Sequence, residues 1–169
     1  ENPNSPEYLL LTILDYYEDK IRARVARNPS SSEEVFERLI NGSLIEKESV
    51  ASSPYIPDSI LKILISDSNK YVREKLAFNS KTLLDYLRVL SEDIEPIVRQ
   101  SVSKNPNTSI ELLKKMLTVD ADVPTRDAII NEINKRENNQ VISIIKKSEI
   151  NIREYEDLDI QDKIKLILN

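Results

Sequence analysis

The chain has 169 residues, of which 40% are apolar and 31% charged, the balance of a globular protein rather than a disordered or membrane-embedded one. A net charge of −5 and a pI near 5.0 set the whole-chain field against nucleic acid and anionic lipid unless a local patch overrides it. The chain has no cysteine and no histidine, which excludes disulfides, thiolate chemistry, cysteine-ligated metal and the commonest general base.

Only Gly42 can supply the positive-φ turns that sheets and tight hairpins need, so the chain reads as all-α. From the N-terminus, an Asn-Pro pair or its near equivalent recurs at Asn2-Pro3, Asn28-Pro29, Ser53-Pro54, Asn79-Ser80 and Asn105-Pro106. The steps are 26, 25, 26 and 26 residues, the period of a helical-repeat array. Three residues after each Asn or Ser stands Ser5, Ser31, Ile56, Thr82 or Thr108. Four of these are N-cap types, and Ser31 with Glu34 and Thr108 with Glu111 read as capping boxes. Pro6 and Pro57 fall where a first helical residue is expected.

Apolar residues then follow at matching offsets: Leu9, Leu10 and Ile13, then Val35, Phe36 and Leu39, then Ile60, Leu61 and Leu64. The fourth and fifth units supply Tyr86, Leu87 and Leu90, and Leu112, Leu113 and Met116. This spacing makes one buried helical face per unit. A shorter second segment closes each unit, as in Val72, Arg73, Leu76 and Ala77 or Val98, Arg99, Val102 and Ser103. The second unit is irregular, with Glu46 at the first apolar position and Ile45 expected to rotate into its place. A small residue at Ala26, Ala51, Ala77 and Ser103 allows a neighbouring backbone to approach. Proline after Asn ends the segment, because it disfavours helix in the residue before it.

Neither half of such a unit can bury its apolar face alone, so neighbours must stack into an α-solenoid of about five units. Residues 1–131 form the array, and residues 132–169 a C-terminal helical cap. The cap reads as a helix over 132–148, an acidic segment over 149–162, and a closing apolar stretch from Ile160 to Leu168. The chain begins at Glu1, already inside a repeat, which suggests a monomeric module of a larger protein. Without a signal-peptide pattern or an apolar run near the ~18 residues of a membrane span, a cytoplasmic location is expected.

The pattern Asp-x-Asp/Asn-x-x-Val-Arg-x-x-Val/Leu-Ala-x-Asn-Pro-x-Thr/Ser resembles the leucine-rich repeat variant family, akin in style to HEAT and armadillo arrays. The match is best over Asp67 to Asn79, Asp93 to Pro106 and Asp120 to Ile130. The resemblance implies a right-handed superhelix of α-helices alternating with short helices, some of them 3₁₀. Some members carry an iron–sulfur cluster on cysteines ahead of the repeats. This chain has no cysteine, so no cofactor is carried over.

Arg22, Lys47, Arg73, Arg99 and Arg126 form a basic column, with Asp67, Asp93 and Asp120 six residues before the last three. It reads as an internal Asp–Arg ladder to loop carbonyls and neighbouring aspartates, against the alternative of a cationic stripe for an acidic or phosphate ligand. Carboxylate pairs such as Glu92 with Asp93 or Asp120 with Asp122 are unremarkable among 29 acids. No nucleophile elbow, phosphate loop or metal spacing is present, so no catalytic or metal-binding residue is expected. The expected role is therefore a non-catalytic scaffold for another protein or peptide. The variable positions of the second segments would carry it: Arg24, Arg27, Ser49, Ser52, Lys75, Phe78, Ser101 and Lys104, with Tyr55 and Tyr71 as aromatic contacts. The alternative is a nucleic-acid-binding module using a basic strip of these segments.

Overall fold

The computed structural model describes residues 6–147, with side chains described to residue 139. Every element among them is helical: α1 (Pro6–Tyr16), α2 (Asp19–Val25), α3 (Glu33–Ile40), α4 (Leu44–Ala51), α5 (Asp58–Leu64), α6 (Lys70–Phe78), α7 (Leu84–Leu90), α8 (Pro96–Lys104), α9 (Ile110–Val119) and α10 (Val123–Lys147). None of these helices is long and apolar enough to cross a membrane. The chain divides into two compact units, Glu1–Ile129 and Ile130–Asn169. The acidic segment over 149–162 and the stretch from Ile160 to Leu168 lie outside the described residues.

Within the first unit the helices pair as the period requires. α1 packs on α2, α3 on α4, α5 on α6 and α7 on α8. Across the sequence repeats, α2 packs on α4, α4 on α6 and α6 on α8, while α1 packs on α3 and α3 on α5. The second segments are α-helices of seven to nine residues rather than 3₁₀ turns. Such short helices are not stable alone, so their apolar faces must be covered by neighbours. Val50, Val72, Leu76, Val98 and Val102 are buried to 0% exposure. The expected triplets Val35–Phe36–Leu39, Ile60–Leu61–Leu64 and Leu112–Leu113–Met116 are all buried. Leu9 and Ile21, first in their segments, are instead exposed, because among the described residues no preceding pair of helices covers them. Tyr86 is half-buried rather than core, its hydroxyl donating to Asp58 of α5.

The recurring Asn is a clasp between consecutive units. The Asn79 carboxamide donates to Ala51 O and Ser53 O at 2.8 Å each, and Asn105 donates to Ala77 O and Asn79 O at 2.7 and 2.8 Å. Each accepts on Oδ1 the N–H two residues on, from Lys81 and Asn107 respectively. These bonds pair carbonyls that end the preceding short helix and lack an intrahelical donor. Ser53 holds the same position with one hydroxyl donated to Ala26 O at 2.5 Å, so its clasp is half as large. The small residues at Ala26, Ala51 and Ala77 are the ones whose carbonyls are taken.

The expected N-caps are shifted by one residue. Ser31, Thr82 and Thr108 turn inward and donate to the carbonyls of Val25, Leu76 and Val102, six residues back, at 2.5–2.6 Å. The N-cap position passes to Ser32, Leu83 and Ser109, of which Ser109 accepts from Leu112 N. Pro57 likewise stands at the N-cap of α5 rather than inside it, whereas Pro6 opens α1 as expected. At the far end, the expected fifth short segment and the helix after it are one helix, α10. No Asn-Pro stop follows Arg126, and Pro124 sits in the first turn where its missing N–H is harmless.

The irregular second unit contains a correction. Glu46 is buried to 1% exposure and Ile45 is 47% exposed, so Ile45 does not rotate inward. The Glu46 carboxylate stands 2.9 Å from Arg22 Nε and accepts the Ser43 N–H at 2.7 Å. It folds back over Gly42, where an added Cβ would overlap the carboxylate.

Replacing Asn105 by Ala should cost about 1–3 kcal/mol in urea unfolding, since Ala77 O loses its side-chain donor and Asn79 O keeps only the Thr82 N–H. Asn105→Ser, which keeps one donor as Ser53 does, should cost clearly less. Gly42→Ala should cost about 1–3 kcal/mol by displacing the Glu46 carboxylate from its partners. That cost should shrink in a Glu46→Ala background, and a double-mutant cycle with no coupling would contradict the contact.

Candidate functional site

The basic column is consumed inside the fold. Arg73 binds Asp93 through Nε and Nη2 at 2.6 and 2.9 Å, and Arg99 binds Asp120 at the same two distances. Each guanidinium also donates Nη1 to a carbonyl six residues before it, Asp67 O at 2.7 Å and Asp93 O at 2.8 Å. The carboxylate partner therefore belongs to the following unit, and the loop carbonyl to the arginine's own. Lys47 reaches Asp67 at 3.0 Å, and Arg126 donates to Leu117 O and Asp120 O. In the second unit Asn41 stands where later units have aspartate, and Glu46 supplies the missing anion to Arg22.

The two bidentate pairs shift their carboxylates. The Arg99 guanidinium, opposed by burial and helped by the Asp122 N–H, holds the Asp120 carboxyl below its ordinary range. At Asp93 burial pushes upward, but Arg73 and the Glu95 N–H outweigh it and the net direction is downward. Asp122, capped onto the hydroxyl and N–H of Thr125, is lowered as well. Carboxylates held this way are poor proton carriers near neutrality. The Tyr86 hydroxyl, donating to Asp58, is raised chiefly by that hydrogen bond. No group of three or more carboxylates among the described residues is placed to hold a metal ion.

A surface is left, made by the outer sides of α2, α4, α6 and α8. Steps of 25 or 26 residues align Arg24, Ser49, Lys75 and Ser101 in one row, and Arg27, Ser52, Phe78 and Lys104 in a second. Between α2 and α4 lies a groove of about 290 Å³ lined by Ala23, Arg24, Arg27, Ile45, Glu48, Ser49 and Ser52. Between α4 and α6 lies another of about 210 Å³, lined by Ser52, Pro54, Lys75, Phe78, Asn79 and Ser80. They share Ser52. Six of the ten expected contact positions thus converge on two adjoining grooves.

The others separate. Ser101 is 7% exposed and withdrawn from the surface, while Lys104 is exposed at the end of α8. Tyr55 and Tyr71 are each 46% exposed but line neither groove; Tyr71 lies at the start of α6, at the other end from Phe78. Ser49 is partly structural, its hydroxyl donating to Ala23 O at 2.5 Å. Sequence reasoning missed Ile45 and Glu48 on the groove wall. The Ser43-x-x-Glu46 spacing, a capping-box signature, was the signal that turns Glu46 inward and leaves Ile45 outside.

The lowered Asp93 and Asp120 give a signed pH dependence. A carboxyl depressed on folding contributes stability that is present above its unfolded value, near 3.8, and is lost as pH falls through the folded value. Asp120→Asn should therefore lower stability at pH 7 and flatten the acid limb of the stability curve below about pH 4. An acid limb of unchanged slope in urea titrations across that range would contradict the ladder.

Comparison with protein-family models, curated proteins and solved structures finds no match to this chain, so its functional reading rests on the residues themselves.

Proposed function

We propose that this chain is a right-handed α-solenoid of about five units whose short helices present a non-catalytic binding face for another protein or peptide. The stepwise packing of α2, α4, α6 and α8 supports the solenoid part, because each short helix finds its cover on the next. The observation that carries the functional part is the pair of adjoining grooves on that face. They combine exposed cations, hydroxyls and the 61% exposed Phe78, a mixture suited to a polypeptide surface. The ladder cations are already matched by carboxylates and support no continuous phosphate-binding strip.

A random-peptide display library selected on the full chain tests this. Selected peptides should lose about tenfold or more in affinity, roughly 1.4 kcal/mol, on Arg27→Glu or Phe78→Asp. Val89→Ser, on the exposed side of α7, should leave them unchanged. Peptides indifferent to the first two variants would remove this face from consideration. Salt-steep binding of a nucleic-acid duplex, abolished by the same variants, would replace the protein reading with the nucleic-acid one.

A further inference from the structure

Building on the scaffold reading, we propose that the two grooves take an extended acidic peptide. An Asp or Glu side chain would sit at Arg24 and Arg27, and a large apolar side chain at Phe78. Among the described residues, Arg22, Lys47, Arg73 and Arg99 each face a carboxylate, but Arg24 and Arg27 face none as partner. Both are exposed and line one groove. Glu48 lines it too, leaving two cations to one anion there. Their planar forks match a carboxylate.

The apolar half of the proposal rests on Phe78 and Pro54 in the second groove and on the exposed Ile45 beside the first. Successive packed helices lie roughly 9 Å apart. Arg24 and Arg27 belong to the α2 end of the face and Phe78 to α6, two such steps or roughly 18 Å apart. An extended peptide rises about 3.3 Å per residue and turns every second side chain to one face, so the acidic and apolar side chains should be about six residues apart. The hydroxyls of Ser49 and Ser52 donate to Ala23 O and Glu48 O, which leaves their oxygen lone pairs to accept peptide N–H groups. The cationic stretch is two guanidiniums rather than a continuous strip, which suits a peptide carrying a single acid better than a nucleic-acid backbone.

Fluorescence anisotropy with the full chain tests the proposal. The labelled probe is Ser-Glu-Ser-Ser-Ser-Ser-Ser-Leu-Ser, made in both chain directions; one control has Gln for Glu, a second has Ser for Leu. The better direction should bind about tenfold tighter than either control. Arg24→Glu with Arg27→Glu should abolish the preference for Glu. Phe78→Ser should abolish the preference for Leu and keep the preference for Glu. If the double charge reversal changes the urea unfolding curve, Arg24→Gln with Arg27→Gln applies the same test. Equal binding of all probes, a Glu preference that survives loss of both arginines, or tighter binding of a uridine octamer would overturn the proposal. Display-selected peptides that require Phe78 but contain no acid would overturn it while leaving the scaffold reading standing.

Discussion

The arrangement depends on one side-chain bond pattern, in which a carboxamide reaches back one unit to carbonyls that no helix can pair internally. A short helix ends with unpaired C=O groups, and in a chain with one glycine the usual left-handed cap cannot close them. Asn79 and Asn105 supply two N–H donors backward and one acceptor forward, so each side chain is satisfied on both sides while buried. Asn79 and Asn105 stand 26 residues apart and make the same pair of backward bonds, each to carbonyls 26 and 28 residues earlier.

The ladder plays the corresponding part at the other end of each short helix. Arg73 and Arg99 lie near the starts of α6 and α8 and tie the loop before their own helix to the aspartate of the next unit. Bidentate pairs with additional carbonyl bonds are the geometry in which a partly buried charge pair is tolerated. Each short helix is thus held at both ends by side chains whose identity is constrained. Arg24, Arg27 and Phe78 lie on the outward side of these segments and take no part in either device.

This division explains what could be read in the sequence. The period was legible because few side chains can replace a carboxamide with three bonds, and Ser53 does so only in part. The cap position was ambiguous because Ser31 and Ser32, or Thr108 and Ser109, are both competent to cap. The structure assigns the inner residue to a carbonyl and the outer to the helix start, a choice made by tertiary burial rather than local propensity. Leu9 and Ile21 were misread for a similar reason. Their spacing is that of a core residue, but burial also requires a preceding neighbour. The groove positions recur at the repeat step but their residue types do not, so the period located Arg24, Arg27, Ser49, Ser52, Lys75 and Phe78 without saying what they bind.

The second unit shows how that freedom is coupled to the scaffold. Asn41 cannot be the anion of the ladder, so Arg22 needs another, and Glu46 supplies it from an otherwise apolar position. Its carboxylate then occupies the space over residue 42, where an added Cβ would overlap it. With Glu46 turned inward, Ile45 is left at the surface beside Arg24 and Arg27. A chain of compensations within the framework has therefore placed an apolar side chain next to the two unmatched cations. The irregular unit keeps its bonds to both neighbours, so what it changes is the groove.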